Sequence, residues 1–237
     1  MRRAWVLVFA IACSPNPKPQ PERVKDAIPQ AGSSDAAVEA AKVDAMPAGP
    51  TPEEIDAALA SLGSEHGAAD IRNLDWWRTN AAHVRPYLRA MLEDGKDNMQ
   101  SDRWAIRILG DIGDAADVEL LATVLTTWKL DTARMAAASA LGVHPAPAAT
   151  DALIAATKHD NVETAAYATT ALGERKNDAA ARTRLEQLLD HTDSTVRYRA
   201  VNALAALGGS RPALEKRKKL EKDADVRSAI NKALKTK

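Results

Sequence analysis

One short pattern recurs five times along the chain, and its regular spacing limits the possible folds more than any other feature. Each copy carries a leucine that follows an alanine or isoleucine, and these marker leucines are Leu109, Leu141, Leu172, Leu204 and Leu234. Successive marker leucines are 32, 31, 32 and 30 residues apart. A constant period of this length is typical of solenoids, in which each repeat buries its apolar face only against its neighbours.

The fourth and fifth copies are the best preserved. They run from Asp193 to Leu204 and from Asp223 to Leu234, and both begin Asp-x-x-Val-Arg and end Ala-Leu. The first aspartate of each copy can cap a helix by accepting hydrogen bonds from free backbone N–H groups. Small and apolar residues at positions i, i+3 and i+4 form a stripe that a helix buries. Each copy therefore predicts one amphipathic helix.

Three glycines follow marker leucines, and further leucines lie between the copies. We expect Gly110, Gly142 and Gly173 to end the helices in left-handed turns. The leucines between the copies predict a second helix in each repeat, and long runs of alternating β-branched and aromatic residues are missing. The chain is rich in alanine, which suits thin, closely packed helices. We predict an all-α fold, an α-solenoid of helical hairpins.

This pattern resembles the HEAT-like repeat named for the phycobilisome lyases, which runs roughly Asp-x-x-Val-Arg-x-x-Ala-Ala-x-Ala-Leu-Gly-x-Ile-Gly. The resemblance covers about residues 99–237 and implies an armadillo-like superhelix. It implies no single function, because many unrelated proteins use this repeat. A lyase or an oxidoreductase-type enzyme is one alternative that the family offers. Iron-binding HEAT-repeat hydroxylases carry paired His-Glu dipeptides, which this chain lacks, and we expect no catalytic residue, metal or cofactor.

The N-terminus has the organisation of a bacterial lipoprotein signal. Two arginines precede nine apolar residues and then Cys13, the single cysteine of the chain. The apolar stretch is too short to span a bilayer, and Ala10-Ile11-Ala12-Cys13 resembles a lipobox. We predict a signal peptide over residues 1–12 and acylation of Cys13. Ser14 favours, by resemblance to enteric lipoproteins, the outer membrane facing the periplasm. The alternative is an ordinary signal peptide, or a misplaced start codon, with an incidental cysteine.

Two regions separate Cys13 from the repeats. Residues 13–50 comprise the lipidated cysteine and a tether rich in proline and alanine, which favours extended, disordered chain. Residues 51–98 predict a helical capping region, with a strong helix start at Thr51-Pro52 and a further helix opened by Pro86. Terminal caps of this kind shield the apolar face of the first repeat.

Two groups of side chains are candidates for binding a partner. The aromatic candidates are Trp104, Trp128, Tyr167 and Tyr198, for which packing between repeats is the alternative. The basic candidates are Lys216, Arg217, Lys218 and Lys219, for which a solvated end of the array is the alternative. The histidines carry no metal-ligand spacing, and we expect them in exposed loops.

The charge balance narrows the partner class. The chain has 32 basic and 32 acidic side chains and no net charge, which does not favour nucleic acid. We predict a scaffold or adaptor that is held at the membrane by its N-terminal lipid and grips a protein partner, with the second helices lining a concave face. An envelope structural protein or a glycan-binding protein is the remaining alternative. The sequence does not identify the partner.

Overall fold

The computed structural model describes residues 49–62, 74–94, 99–208 and 210–235, within a compact unit that spans residues 47–237. The signal peptide, Cys13 and most of the tether lie outside the described residues. In the described part of the chain, regular structure is entirely helical and comprises one short 3-10 helix, Ala115–Asp117, and these α-helices: α1 (Pro52–Leu62), α2 (Leu74–Thr79), α3 (Ala81–Glu93), α4 (Met99–Ile112), α5 (Val118–Thr127), α6 (Asp131–Val143), α7 (Ala148–Ala156), α8 (Val162–Leu172), α9 (Ala179–Leu188), α10 (Ser194–Ala206), α11 (Arg211–Leu220) and α12 (Ala224–Lys235).

The repeat helices form two layers. The first helices, which carry the marker leucines, are α4, α6, α8, α10 and α12, and each packs against the next. The second helices are α5, α7, α9 and α11, and each packs against the first helix that follows it. All marker leucines except Leu234 are fully buried. The predicted all-α solenoid is therefore confirmed.

A seam of small residues joins neighbouring first helices. A Cβ atom built on Gly110 would lie 2.5 Å from the Cβ of Ala140, and one built on Gly173 would lie 2.9 Å from the Cβ of Ala203. The expectation of left-handed turns at Gly110, Gly142 and Gly173 was wrong. Gly110 and Gly142 lie inside helices, and Gly173 has a right-handed φ of −67°. Gly110 and Gly173 are needed because the next helix approaches too closely for a side chain, whereas at Gly142 the nearest atom of the next helix would be 3.1 Å from an added Cβ.

Side chains cap α8 and α10 as the repeat pattern predicts, whereas α6 follows Leu130 without a side-chain cap. Asn161 accepts a hydrogen bond from the backbone N–H of Thr164 at 2.9 Å, and Asp193 accepts one from Thr195 at 2.7 Å. A histidine precedes each cap by two residues. The Nδ1 of His159 accepts from the N–H of Asn161, and the Nδ1 of His191 accepts from that of Asp193. Both rings are half-buried, so the expectation of exposed loop histidines was wrong for this pair.

Three helices precede the repeats. Helices α1 and α2 pack against α4, and α3 packs against α4 and α5. Thr51 and Glu54 exchange backbone-to-side-chain hydrogen bonds at 2.8 and 3.2 Å, which is the capping box that starts a helix. Pro86 does not open α3, as the sequence suggested, because this helix begins one turn earlier at Ala81.

Candidate partner-binding surface

The first helices present one solvent-facing side that carries most of the predicted aromatic candidates. In each repeat, the residues four and eight positions before the marker leucine are buried, whereas those two, five and six positions before it lie towards solvent in most copies. We name this side the first-helix face and define it by Arg103, Trp104, Arg107, Met135, Tyr167, Tyr198 and Arg199. Because these residues occur in four successive copies, the face continues along the array.

Large side chains on this face are available for contact. Met135 is 51% exposed and Tyr198 is 39% exposed. Trp104 and Tyr167 are half-buried, and both lie five residues before their marker leucines. Packing against the core therefore accounts for only part of each ring, and tryptophan, tyrosine and arginine are the residues that most often dominate binding energy at interfaces.

Trp104 is flanked by two arginines of its own helix. The guanidinium carbons of Arg103 and Arg107 each lie 5.8 Å from the centroid of the Trp104 ring. This distance is within the range of cation–π attraction. Both arginine side chains are exposed, so the ring positions two cations at the surface.

A groove between α10 and α12 extends the face towards the C-terminus. It encloses about 440 Å³ and is lined by Tyr198, Asn202, Asp225, Ala229 and Lys232, among others. Tyr198 and Ala229 both line this groove. Tyr198 lies six positions before its marker leucine, Leu204, and Ala229 lies five positions before Leu234. The same two positions hold Met135 and Tyr167 in the second and third copies.

Trp128 lies elsewhere. It follows the last residue of α5 as the C-cap, donates its backbone N–H to the carbonyl of Val124, and packs half-buried against the core. It therefore belongs to the second-helix layer and not to the first-helix face. The second helices also form an open groove of about 520 Å³ between α5 and α7, lined mainly by alanine, threonine and His159, without a large aromatic side chain.

The basic run on α11 divides into two kinds of residue. Lys216, Lys218 and Lys219 are exposed. The Arg217 side chain is only 16% exposed and binds both Asp190, at 3.0 Å, and Glu221, at 2.8 Å. Arg217 thus stabilises the array, whereas the three lysines are free to meet a partner.

Glu221 is the centre of a buried polar cluster that includes Arg197 and Arg217. Arg197, the arginine of the fourth Asp-x-x-Val-Arg copy, binds both Glu221 carboxylate oxygens at 2.9 and 3.0 Å. Burial alone would raise the pKa of Glu221, but the hydrogen bonds from Arg197, from the backbone N–H of Asp223 and from Arg217 outweigh it and lower the pKa to about 2. The carboxylate is therefore charged at neutral pH and joins the fourth repeat to α12.

His144 is the one histidine with a fully buried side chain in the described part of the chain. Its Nε2 lies 3.2 Å from the carbonyl oxygen of Asp114, and its Nδ1 accepts from the N–H of Ala146. Burial lowers the pKa of His144. The contacts with Asp114 and Ala146 link the loops of two repeats, which is a structural role.

The described residues contain neither a cluster of three histidine, cysteine or acidic side chains able to hold a metal ion nor a helix long and apolar enough to cross a membrane. Cys13, for which we predict acylation, lies outside the described residues.

Sequence reasoning selected three residues of the first-helix face but missed Arg103, Arg107, Met135 and Arg199. An alignment of the repeats could have identified these four residues, because they occupy the positions two, five and six before the marker leucine. Recognising them required knowing which helix flank faces solvent, and that depends on how the two layers pack.

Comparison with known families agrees with this architecture. Residues 150–235, from α7 to the end of α12, match the family model for HEAT repeats. No curated protein sequence matches the chain. The family match supports a HEAT-like repeat protein, and the same helix pairs extend upstream of the matched region to α4. HEAT repeats commonly mediate protein–protein interaction, which is consistent with a protein partner.

Proposed function

We propose that this protein is a lipid-anchored scaffold or adaptor of the bacterial cell envelope that binds a protein partner through its first-helix face. The observation that carries the proposal is the common position of Trp104, Met135, Tyr167 and Tyr198 on that face. Exposed aromatic and apolar side chains that follow one face of an array are typical of surfaces that bind proteins. The role involves no covalent chemistry.

The first-helix face replaces the second helices as the proposed binding surface. The α5–α7 groove is lined by alanine, threonine and four charged or imidazole side chains, and none of its lining residues is a tryptophan, tyrosine or arginine, the types that dominate hot spots. The first-helix face combines aromatic rings, a thioether and unpaired guanidinium groups, which is the composition typical of interface centres.

The N-terminal sequence supports the membrane anchor. The two arginines, the apolar stretch and Cys13 fit a lipoprotein signal, and several acyl chains would hold the mature protein firmly at a bilayer. We propose that the proline-rich tether places the repeats away from the lipid surface, in the periplasm and at the outer membrane. The repeat subtype proposed here is the one named for the phycobilisome lyases.

A Cys13→Ser variant tests the anchor. The wild-type chain should sediment with membranes and incorporate labelled palmitate, whereas the variant should do neither. Ser14→Ala is the matched control and should still be acylated. Membrane association that is unchanged in Cys13→Ser would exclude the lipid anchor.

Site-specific photo-cross-linking tests the binding surface. A photoreactive amino acid at Met135 or Tyr198 should capture the same envelope protein in cells. Tyr87 on α3 and Leu220 on α11 are matched controls, because they are 48% and 58% exposed and lie off the first-helix face. Equal capture from the control positions, or no capture from Met135 and Tyr198, would refute the proposed surface.

A further inference from the structure

We infer that the first-helix face binds an acidic segment of the protein partner, and that Arg103 and Arg107, positioned by Trp104, contact carboxylates of that segment. This inference rests on the proposed function and adds the chemistry of the partner.

The two arginines are arranged as a pair before any ligand binds. They are four residues apart on α4, so both project from one side of the helix. The Trp104 ring lies between them in sequence and 5.8 Å from each guanidinium carbon. Because these contacts already restrict two long side chains, less conformational entropy is lost when a carboxylate is bound.

Neither guanidinium has an acidic partner among the described residues, which separates this pair from the arginines that stabilise the fold. Arg78, for example, binds Asp75 and Asp111, and Arg197 binds Glu221. Arg199, further along the first-helix face, also lacks a carboxylate partner. A guanidinium group presents parallel N–H donors that match the two oxygens of a carboxylate. The two arginine side chains are therefore suited to bind a carboxylate.

An acidic protein segment fits the pair better than nucleic acid does. The chain as a whole has no net charge, so it creates no broad positive field of the kind that draws a phosphate backbone. The positive charge is instead local and adjacent to aromatic and thioether side chains. A partner segment that combines carboxylates with apolar side chains would match both features.

The test measures binding of fluorescein-labelled hexaglutamate to the full-length protein in detergent, by fluorescence anisotropy. Wild-type protein should bind at low salt and weaken as salt is added. The double variant Arg103→Glu/Arg107→Glu should weaken binding by about tenfold or more, because it reverses the contacting charges. The double variant Lys218→Glu/Lys219→Glu makes the same charge change on α11 and should alter binding by less than about twofold. Circular dichroism should show unchanged helicity in both variants.

Three results would overturn the inference: no binding by wild-type protein, equal weakening by the two double variants, or displacement of hexaglutamate by oligothymidylate at lower concentrations than by unlabelled hexaglutamate. The last result would indicate a nucleic-acid site. If Met135 and Tyr198 still capture the partner when the Arg103 and Arg107 variant binds hexaglutamate normally, the acidic-segment inference fails while the proposed function stands. If hexaglutamate binds as expected but Met135 and Tyr198 capture nothing, the proposed function fails instead.

Discussion

Gly110 of α4 lies against Ala140 of α6 so closely that a Cβ at position 110 would be 2.5 Å from the Ala140 Cβ and 2.9 Å from its Cα. The same relationship joins Gly142 to Ala171, but there the nearest atoms, the carbonyl oxygen and the Cβ of Ala171, are 3.1 and 3.4 Å away. The first-helix layer is therefore tightest at its N-terminal end.

These distances predict that alanine destabilises the protein more at position 110 than at position 142. Alanine favours a helix over glycine by about 1 kcal/mol, but overpacking a tight contact costs about 1–3 kcal/mol. Gly110→Ala should therefore destabilise the protein by about 1–2 kcal/mol net, whereas Gly142→Ala should stay within about 1 kcal/mol of wild type. Urea unfolding followed by circular dichroism measures both. A larger loss for Gly142→Ala than for Gly110→Ala would contradict the distances.

The repeat supplies its own control for the arginine of the Asp-x-x-Val-Arg pattern. Arg197 binds the buried Glu221 carboxylate, whereas Arg227, at the same position in the fifth copy, is exposed and has no acidic partner among the described residues. Arg197→Met should cost about 3 kcal/mol, since it leaves a buried charge with fewer partners. Arg227→Met should cost less than about 0.5 kcal/mol. Similar losses from both variants, measured by urea unfolding, would mean that the arginine acts within its own helix.

Because of Glu221, we expect the free energy of unfolding to depend on pH in the acidic range. Its pKa is about 2 in the folded protein, below the ordinary value of 4.5. Because the folded state holds the charged form more strongly, the stabilisation is complete above about pH 4.5 and is lost as the pH falls through about 2. Glu221→Gln should therefore destabilise the protein by about 3 kcal/mol at pH 7, with a difference from wild type that shrinks between pH 4.5 and 2.

Glu215→Gln is the matched control for this variant. Glu215 lies on α11, the helix that Glu221 follows as the C-cap, is exposed, and pairs with Arg211 at 3.5 Å. Exposed ion pairs contribute about 0–1 kcal/mol, so Glu215→Gln should leave the unfolding curve nearly unchanged at neutral pH. If the difference in unfolding free energy between wild type and Glu221→Gln did not depend on pH, the variant would be destabilised for a reason other than the loss of charge.

The fold was largely predictable because its main signals are local and repeated. The marker leucines, the caps at Asn161 and Asp193, and the Thr51 helix start depend on residues within one or two turns, so the sequence displays them directly. The role of Gly110 and Gly142 was not predictable in this way, because a glycine after a leucine also fits a helix end. Only the packing of α4 on α6 distinguishes close approach from a left-handed turn.

The binding surface was predictable in part. The sequence selects Trp104, Tyr167 and Tyr198 because aromatic residues dominate interface energetics. It selects Trp128 on the same ground, and Arg217 because it lies in a basic run. Their different surroundings arise from tertiary contacts, since Trp128 packs at the end of α5 and Arg217 binds Asp190 and Glu221. The residue type alone does not show whether a side chain is exposed to solvent or already bound within the fold.

His144 links the loops of two repeats and predicts a change of stability near neutral pH. Its ring contacts Asp114 and Ala146, and burial lowers its pKa below the ordinary value of 6.5 in the folded state. The unfolded chain therefore takes up the proton first on acidification, so the stabilisation is present above about pH 6.5 and is lost as the pH falls towards the folded pKa, by at most about 1.4 kcal/mol per pH unit. His144→Gln should remove this component of the pH dependence, and urea midpoints of wild type and variant at pH 7.5 and 5.5 measure it. Wild-type and variant midpoints that fall in parallel between the two pH values would show that His144 does not cause the pH dependence.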